Sequence, residues 1–99
     1  MATLYIAEFS FKPPVSFLGA PVGGTPPLAE QTVGISGSSA QSTPFGSATR
    51  MVRVHTDAIC SIAWGLNPTA TTGNMRLAAN QTEYFGVSAN EQIAVISNS

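Results

Sequence analysis

Residues 50–64 read RMVRVHTDAICSIAW: two alternating runs with a short polar interruption between them. In the first, Val52 and Val54 share one face, and Met51, Arg53 and His55 share the other. In the second, Cys60, Ile62 and Trp64 line up on one face. Successive side chains of an extended chain point to opposite sides, so each run predicts a strand, and the second has the pattern of a core-facing row. Thr56-Asp57 between them reads as a turn or bulge. Val, Ile, Thr and aromatic residues dominate both runs, and good helix formers are few, which favours strand over helix.

The same texture extends in both directions. Upstream, residues 4–11 (LYIAEFSF) predict a strand with Leu4, Ile6 and Glu8 on one face and Tyr5, Ala7, Phe9 and Phe11 on the other. Lys12-Pro13-Pro14 ends it, because proline cannot donate to a ladder. Residues 32–35 (TVGI) predict a short strand, Ser36 to Ser39 a Gly/Ser turn, and Gln41 to Phe45 a further extended piece. Downstream, a loop from Asn67 to Asn74 leads to short strands at 75–78, 82–87 and 92–96, with turns at Ala79-Asn80-Gln81 and Ser88 to Glu91. Seven or eight short strands with closely spaced turn signals predict an all-β antiparallel sandwich, jelly-roll or Ig-like, with 99 residues forming a single domain. No internal repeat or heptad interrupts the pattern.

Residues 12–30 differ. Pro13, Pro14, Pro21, Pro26 and Pro27 fall there together with Gly19, Gly23 and Gly24, so a ladder is not expected. Yet Val15, Phe17, Leu18, Val22 and Leu28 make the segment too apolar for a solvated linker. It reads as an extended arm that packs on its own sandwich or on a neighbour, with Phe17, Leu18, Val22 and Leu28 as the partner-contact candidates.

Only 9% of the residues are charged, against roughly 25% in an ordinary soluble domain. The surface is therefore mostly Ser, Thr, Asn, Gln, Gly and Ala, which defends poorly against association and matches the charge depletion of interface cores. The net charge of −1 gives no electrostatic case for nucleic acid or an anionic membrane. The N-terminal segment has no basic region or long apolar core, so no secretory signal is expected, and no stretch approaches the ~20 apolar residues of a membrane span. The expected setting is a reducing cytoplasm, and a single cysteine, Cys60, precludes an internal disulfide.

Catalytic patterns are sparse. His55 and Cys60 lie five apart across a predicted turn, on opposite faces of a strand frame, so they do not form a nucleophile–base pair. Cys60 reads as a small core residue. His55 and Asp57 share a face, but zinc wants three or four ligands and no second histidine exists. Glu8, Glu30, Asp57, Glu83 and Glu91 are scattered, and Gly23-Gly24-Thr25 and Gly34-x-x-Gly37 lack the Lys-Ser/Thr and helix of a phosphate loop. Arg53 and His55 could form a small anion-contacting patch, a solvated face or a contact to a neighbour. Tyr84, Phe85 and Trp64 could stack on a sugar, although Trp64 sits in the apolar row. The expectation is no catalytic residue, no metal and no cofactor.

The stretch from Arg50 to Ile96 carries a resemblance. Its VRVHTDA strand, its IAWG-x-NPTAT strand and loop, and its RLAANQTEYFGV…IAVI ending resemble the C-terminal half of small proteins encoded near the capsid genes of tailed bacteriophages. The preceding PPLAEQTV piece is similar too. The likeness covers about half the chain and lies in texture, not in a catalytic signature. It implies a β-sandwich or jelly-roll virion protein that decorates or cements the capsid exterior. The implied partners are the major capsid protein and symmetry-related copies of the chain, forming an oligomer in the virion. A tail, neck or head-fibre component, or a small carbohydrate-binding module using Tyr84 or Trp64, are the alternatives.

Overall fold

The computed structural model describes residues 2–9 and 28–98. Eight strands follow in chain order: β1 (Ala2–Phe9), β2 (Ala29–Ile35), β3 (Ala40–Gln41), β4 (Met51–Thr56), β5 (Cys60–Gly65), β6 (Met75–Leu77), β7 (Thr82–Gly86) and β8 (Gln92–Ser97). They form two antiparallel four-stranded sheets, a first of order β2-β1-β4-β7 and a second of order β3-β8-β5-β6. The described residues contain no helix. The expected all-β sandwich is the observed architecture.

The core forms from rows of alternate residues. Leu4 and Ile6 of β1, Val33 and Ile35 of β2, and Val52 and Val54 of β4 point inward from the first sheet. Cys60 and Ile62 of β5, Leu77 of β6, and Ile93 and Val95 of β8 meet them from the second. The row Cys60, Ile62, Trp64 faces inward as expected, with Trp64 half-buried at its end and packed against the core. Its ring lies 4.8 Å from that of Phe85 and 6.3 Å from that of Phe45. Burying such rows supplies roughly 25 cal/mol per Å² of apolar surface, the main force holding the sheets together.

The two runs of residues 50–64 are consecutive strands, yet they do not pair. β4 lies in the first sheet and β5 in the second, so the chain crosses the sandwich at Asp57–Ile59. Thr56 secures the crossing: its hydroxyl donates to the Ala58 carbonyl at 2.6 Å and accepts from the Ala58 N–H at 3.2 Å.

Two expectations need correction. The expected arm spans residues 12–30, but Ala29 and Glu30 already belong to β2, opposite Glu8 and Ala7. Proline is what forbids a ladder, and the last proline is Pro27. Phe17, Leu18 and Val22 lie outside the described residues; Leu28 is 53% exposed, with its N–H donated to the Glu8 carbonyl. The extended piece 41–45 shrinks to the two-residue β3, after which Phe45 leaves the ladder and plugs the core from a loop.

The outer faces of the two sheets are treated differently. On the second sheet, Ser61 and Ala94 point outward by register but are fully buried. The loop 66–74 leaves β5, and Gln41 on the opposite edge strand donates its Nε2 to the Pro68 carbonyl at 2.6 Å and to Asn67 Oδ1 at 2.8 Å. To reach β3 the loop must cross β5 and β8, so it lies over this face. The Ala70 N–H donates to Ser39 Oγ, and Asn98 Nδ2 donates to both Ser61 Oγ and the Thr72 carbonyl, holding the loop down. Small residues at Ser61, Ala63 and Ala94 leave it room.

Candidate functional site

The outer face of the first sheet keeps a polar region, covered by no loop among the described residues, built from two rows that run across all four strands. Register puts Thr32, Tyr5, His55 and Thr82 side by side in one row, and Glu30, Ala7, Arg53 and Tyr84 in the next. Neighbouring positions across strands lie about 4.5–5.5 Å apart, so each row is a line of adjacent positions. Tyr5 is 44% exposed and Tyr84 40%.

Ala7 is the smallest side chain in this set and stands between Glu30 and Arg53. The result is a hollow of about 510 Å³ lined by Tyr5, Ala7, Glu30, Thr32, Arg53 and His55. The ring centroids of Tyr5 and His55 are 6.3 Å apart with planes tilted by 46°. His55 Nδ1 lies 2.7 Å from Thr82 Oγ1, a hydrogen bond that fixes the imidazole on its strand. The hollow thus offers a cation, a carboxylate, an aromatic wall and hydroxyls on a rigid sheet. It can bind by hydrogen bonds and ring contact.

The structure separates the residues from which a reaction centre might have been assembled. His55 points outward from the first sheet, whereas Cys60 is fully buried in the core on the second. Burial pushes the Cys60 thiol above its ordinary range, partly offset by its hydrogen bond to Thr56 Oγ1 at 3.5 Å. Glu8 and Glu30 lie on opposite faces of the first sheet, so they do not form a carboxylate pair. Asp57 is exposed at a bend beyond β4. Among the described residues no three His, Cys, Asp or Glu side chains converge as metal ligands. Trp64 is half-buried between Phe45 and Phe85 and is no open platform, while Tyr84 is.

Sequence reading missed two features. The hollow joins Tyr5, Glu30 and His55 from three strands; alternation marks each as outward but register alone makes them neighbours. The other is Glu8, only 3% exposed. Its Oε1 accepts from Thr49 Oγ1 at 2.8 Å and from the Gly46 N–H at 3.0 Å, and its Oε2 accepts from Gln31 Nε2 at 3.3 Å. Gln31 Oε1 in turn accepts from the N–H and hydroxyl of Thr43, each at 2.9 Å. A buried carboxylate therefore ties the 43–49 loop to β1 and β2. The signal was its place in the Leu4-Ile6-Glu8 row, a charge at a core position. No family model, curated protein or solved structure matches this chain.

Proposed function

We propose that this protein is a non-enzymatic virion structural protein that decorates or cements the exterior of a tailed-phage capsid. It would bind between capsid subunits, with the major capsid protein and copies of itself as partners. The observation that carries this reading is the asymmetry of the sandwich. One outer face is sealed by the chain's own loop 66–74, and the other presents a polar two-row surface with a hollow at its centre that holds Glu30, Arg53 and His55. Exposed Leu28, at the start of β2, adds an apolar contact near its end. The resemblance over Arg50–Ile96 and the 9% charge content support the same reading. The mechanism is linkage: a ligand that binds only the assembled shell stabilises it by mass action, and many symmetric copies add their effects.

The test is to add purified protein to particles lacking it. Binding should saturate at a fixed copy number, raise the disruption temperature and depend weakly on salt, since few charges are involved. An Ala7→Arg variant fills the hollow and should lose binding while melting like the wild type. Failure of the wild type to bind, or collapse of binding at moderate salt, would refute the cement role; unchanged binding by Ala7→Arg would refute this face as the contact. A second reading, glycan binding, is favoured by Tyr5, Tyr84, Arg53 and Glu30 lying on one face. It predicts retention on immobilised glycans with no effect on particle melting.

A further inference from the structure

We infer that the free edge of β7 is a self-pairing interface, and that its occupant is β7 of a second copy of this chain. This inference does not depend on the capsid reading. The four terminal strands of the two sheets are β2, β7, β3 and β6. β3 has two residues and β6 three, too short to template a partner. The flank of β2 is spanned by the segment that follows it: Gln31 is bonded to Thr43, and the Ser36 carbonyl accepts from the Ser97 N–H. β7 has five residues, TEYFG, and among the described residues nothing pairs with its outer edge.

The polarity of that edge follows from the ladder. The Val87 N–H donates to the Arg50 carbonyl, and the Thr56 N–H to the Gln81 carbonyl. In the antiparallel register this makes 81, 83, 85 and 87 the residues that bond to β4. The N–H and C=O groups of Thr82, Tyr84 and Gly86 therefore point away from the sheet. Edges of this kind are normally blunted by charged side chains, lysine above all, by proline or by a bulge. The segment 82–86 carries no lysine and no proline, and its one charge, Glu83, accepts a hydrogen bond from Gln81 Nε2 at 2.7 Å.

A second copy of β7 satisfies those groups with a two-fold axis through Tyr84. Tyr84 then exchanges both backbone bonds with the partner copy's Tyr84, and Thr82 does so with the partner copy's Gly86. The two Tyr84 rings meet on the outer face, and Glu83 stands opposite the partner copy's Phe85. Shifting the axis to Glu83 would set two carboxylates directly opposite, which is unfavourable. Charge thus selects the register centred on Tyr84, which also pairs all five residues. The result is one continuous eight-stranded sheet in which the row containing Arg53 runs through both Tyr84 residues into the same row of the partner copy. A two-fold contact of this type closes on itself and does not propagate into fibres.

Sedimentation should show a concentration-dependent dimer. Tyr84→Pro should abolish it and leave the fold intact, because that N–H is not bonded to β4 and proline is tolerated on the outer side of an edge strand. Cysteine trapping gives an independent measurement that does not require the proline variant to fold. A hydrogen-bonded antiparallel pair has its Cα atoms about 5.5 Å apart, inside the roughly 4.4–6.8 Å range of a disulfide. Tyr84→Cys should form a covalent dimer under mild oxidation, and Glu83→Cys should not. Native Cys60 is buried and does not interfere. A wild-type chain that stays monomeric at its highest soluble concentration, or equal cross-linking by the two cysteine variants, would overturn the proposal.

Discussion

Replacing Glu8 tests whether a buried carboxylate holds the sandwich closed on one side. The side chain is 3% exposed and accepts three hydrogen bonds, from Thr49 Oγ1, Gly46 N–H and Gln31 Nε2. Hydrogen bonds to a charged acceptor contribute about 1.5–3 kcal/mol each, and a buried donor left without a partner costs about 1–3 kcal/mol. These losses are not equal here. Thr49 is fully buried, so in Glu8→Ala its hydroxyl loses its acceptor with no water to replace it. Gly46 is exposed and can turn to solvent. Removing the carboxylate also removes the cost of burying it, which lowers the net effect. Glu8→Ala should therefore destabilise by about 3–4 kcal/mol, a large fraction of the roughly 5–15 kcal/mol that holds a domain together. Glu8→Gln keeps an acceptor for Thr49 but sets its amide against the Gln31 amide. Gln31 cannot rotate without losing Thr43, so the expected cost is about 1–2 kcal/mol. Urea denaturation followed by Trp64 fluorescence measures both, and salt should change neither difference, because the group is buried. A Glu8→Ala variant within about 0.5 kcal/mol of wild type, the range of ordinary surface substitutions, would refute the clamp.

Two further outcomes are expected. Burial raises the Cys60 thiol pKa in the folded state. Below the ordinary thiol pKa of about 8.5 both states are protonated and this contribution is complete; above it the unfolded chain ionises first, so stability should fall as pH rises through that region and on through the folded-state value. Urea titrations across this range should show that slope in the wild type and a reduced one in Cys60→Ala; identical slopes would exclude Cys60 as the source. Ala94→Leu places a large side chain under the loop 66–74 and should cost about 1–3 kcal/mol by overpacking. The same variant should open the loop to limited proteolysis, and an uncut, equally stable variant would mean that the loop does not press on that face.

The class of the fold and the rows of its core are local properties of the chain. Alternation in RMVRVHTDAICSIAW groups Val52 with Val54 and assigns Cys60 and Ile62 to the interior, and LYIAEFSF groups Leu4 with Ile6, because a period of two is set by each extended segment alone. That the described residues hold no helix was legible for the same reason, and the sparseness of charge is composition itself. Which strands become neighbours was not. β4 and β5 follow each other yet enter different sheets, while Tyr5 and His55 are fifty positions apart and adjacent, because pairing is settled by the whole set of strands burying their apolar faces at once. Hence the hollow over Ala7, the Glu8 clamp reaching to Thr49, the loop sealing Ser61 and Ala94, and the exposed edge of β7 all belong to tertiary structure. Each is made by residues whose local surroundings say only inward or outward, and only the register of one strand on another decides what they meet.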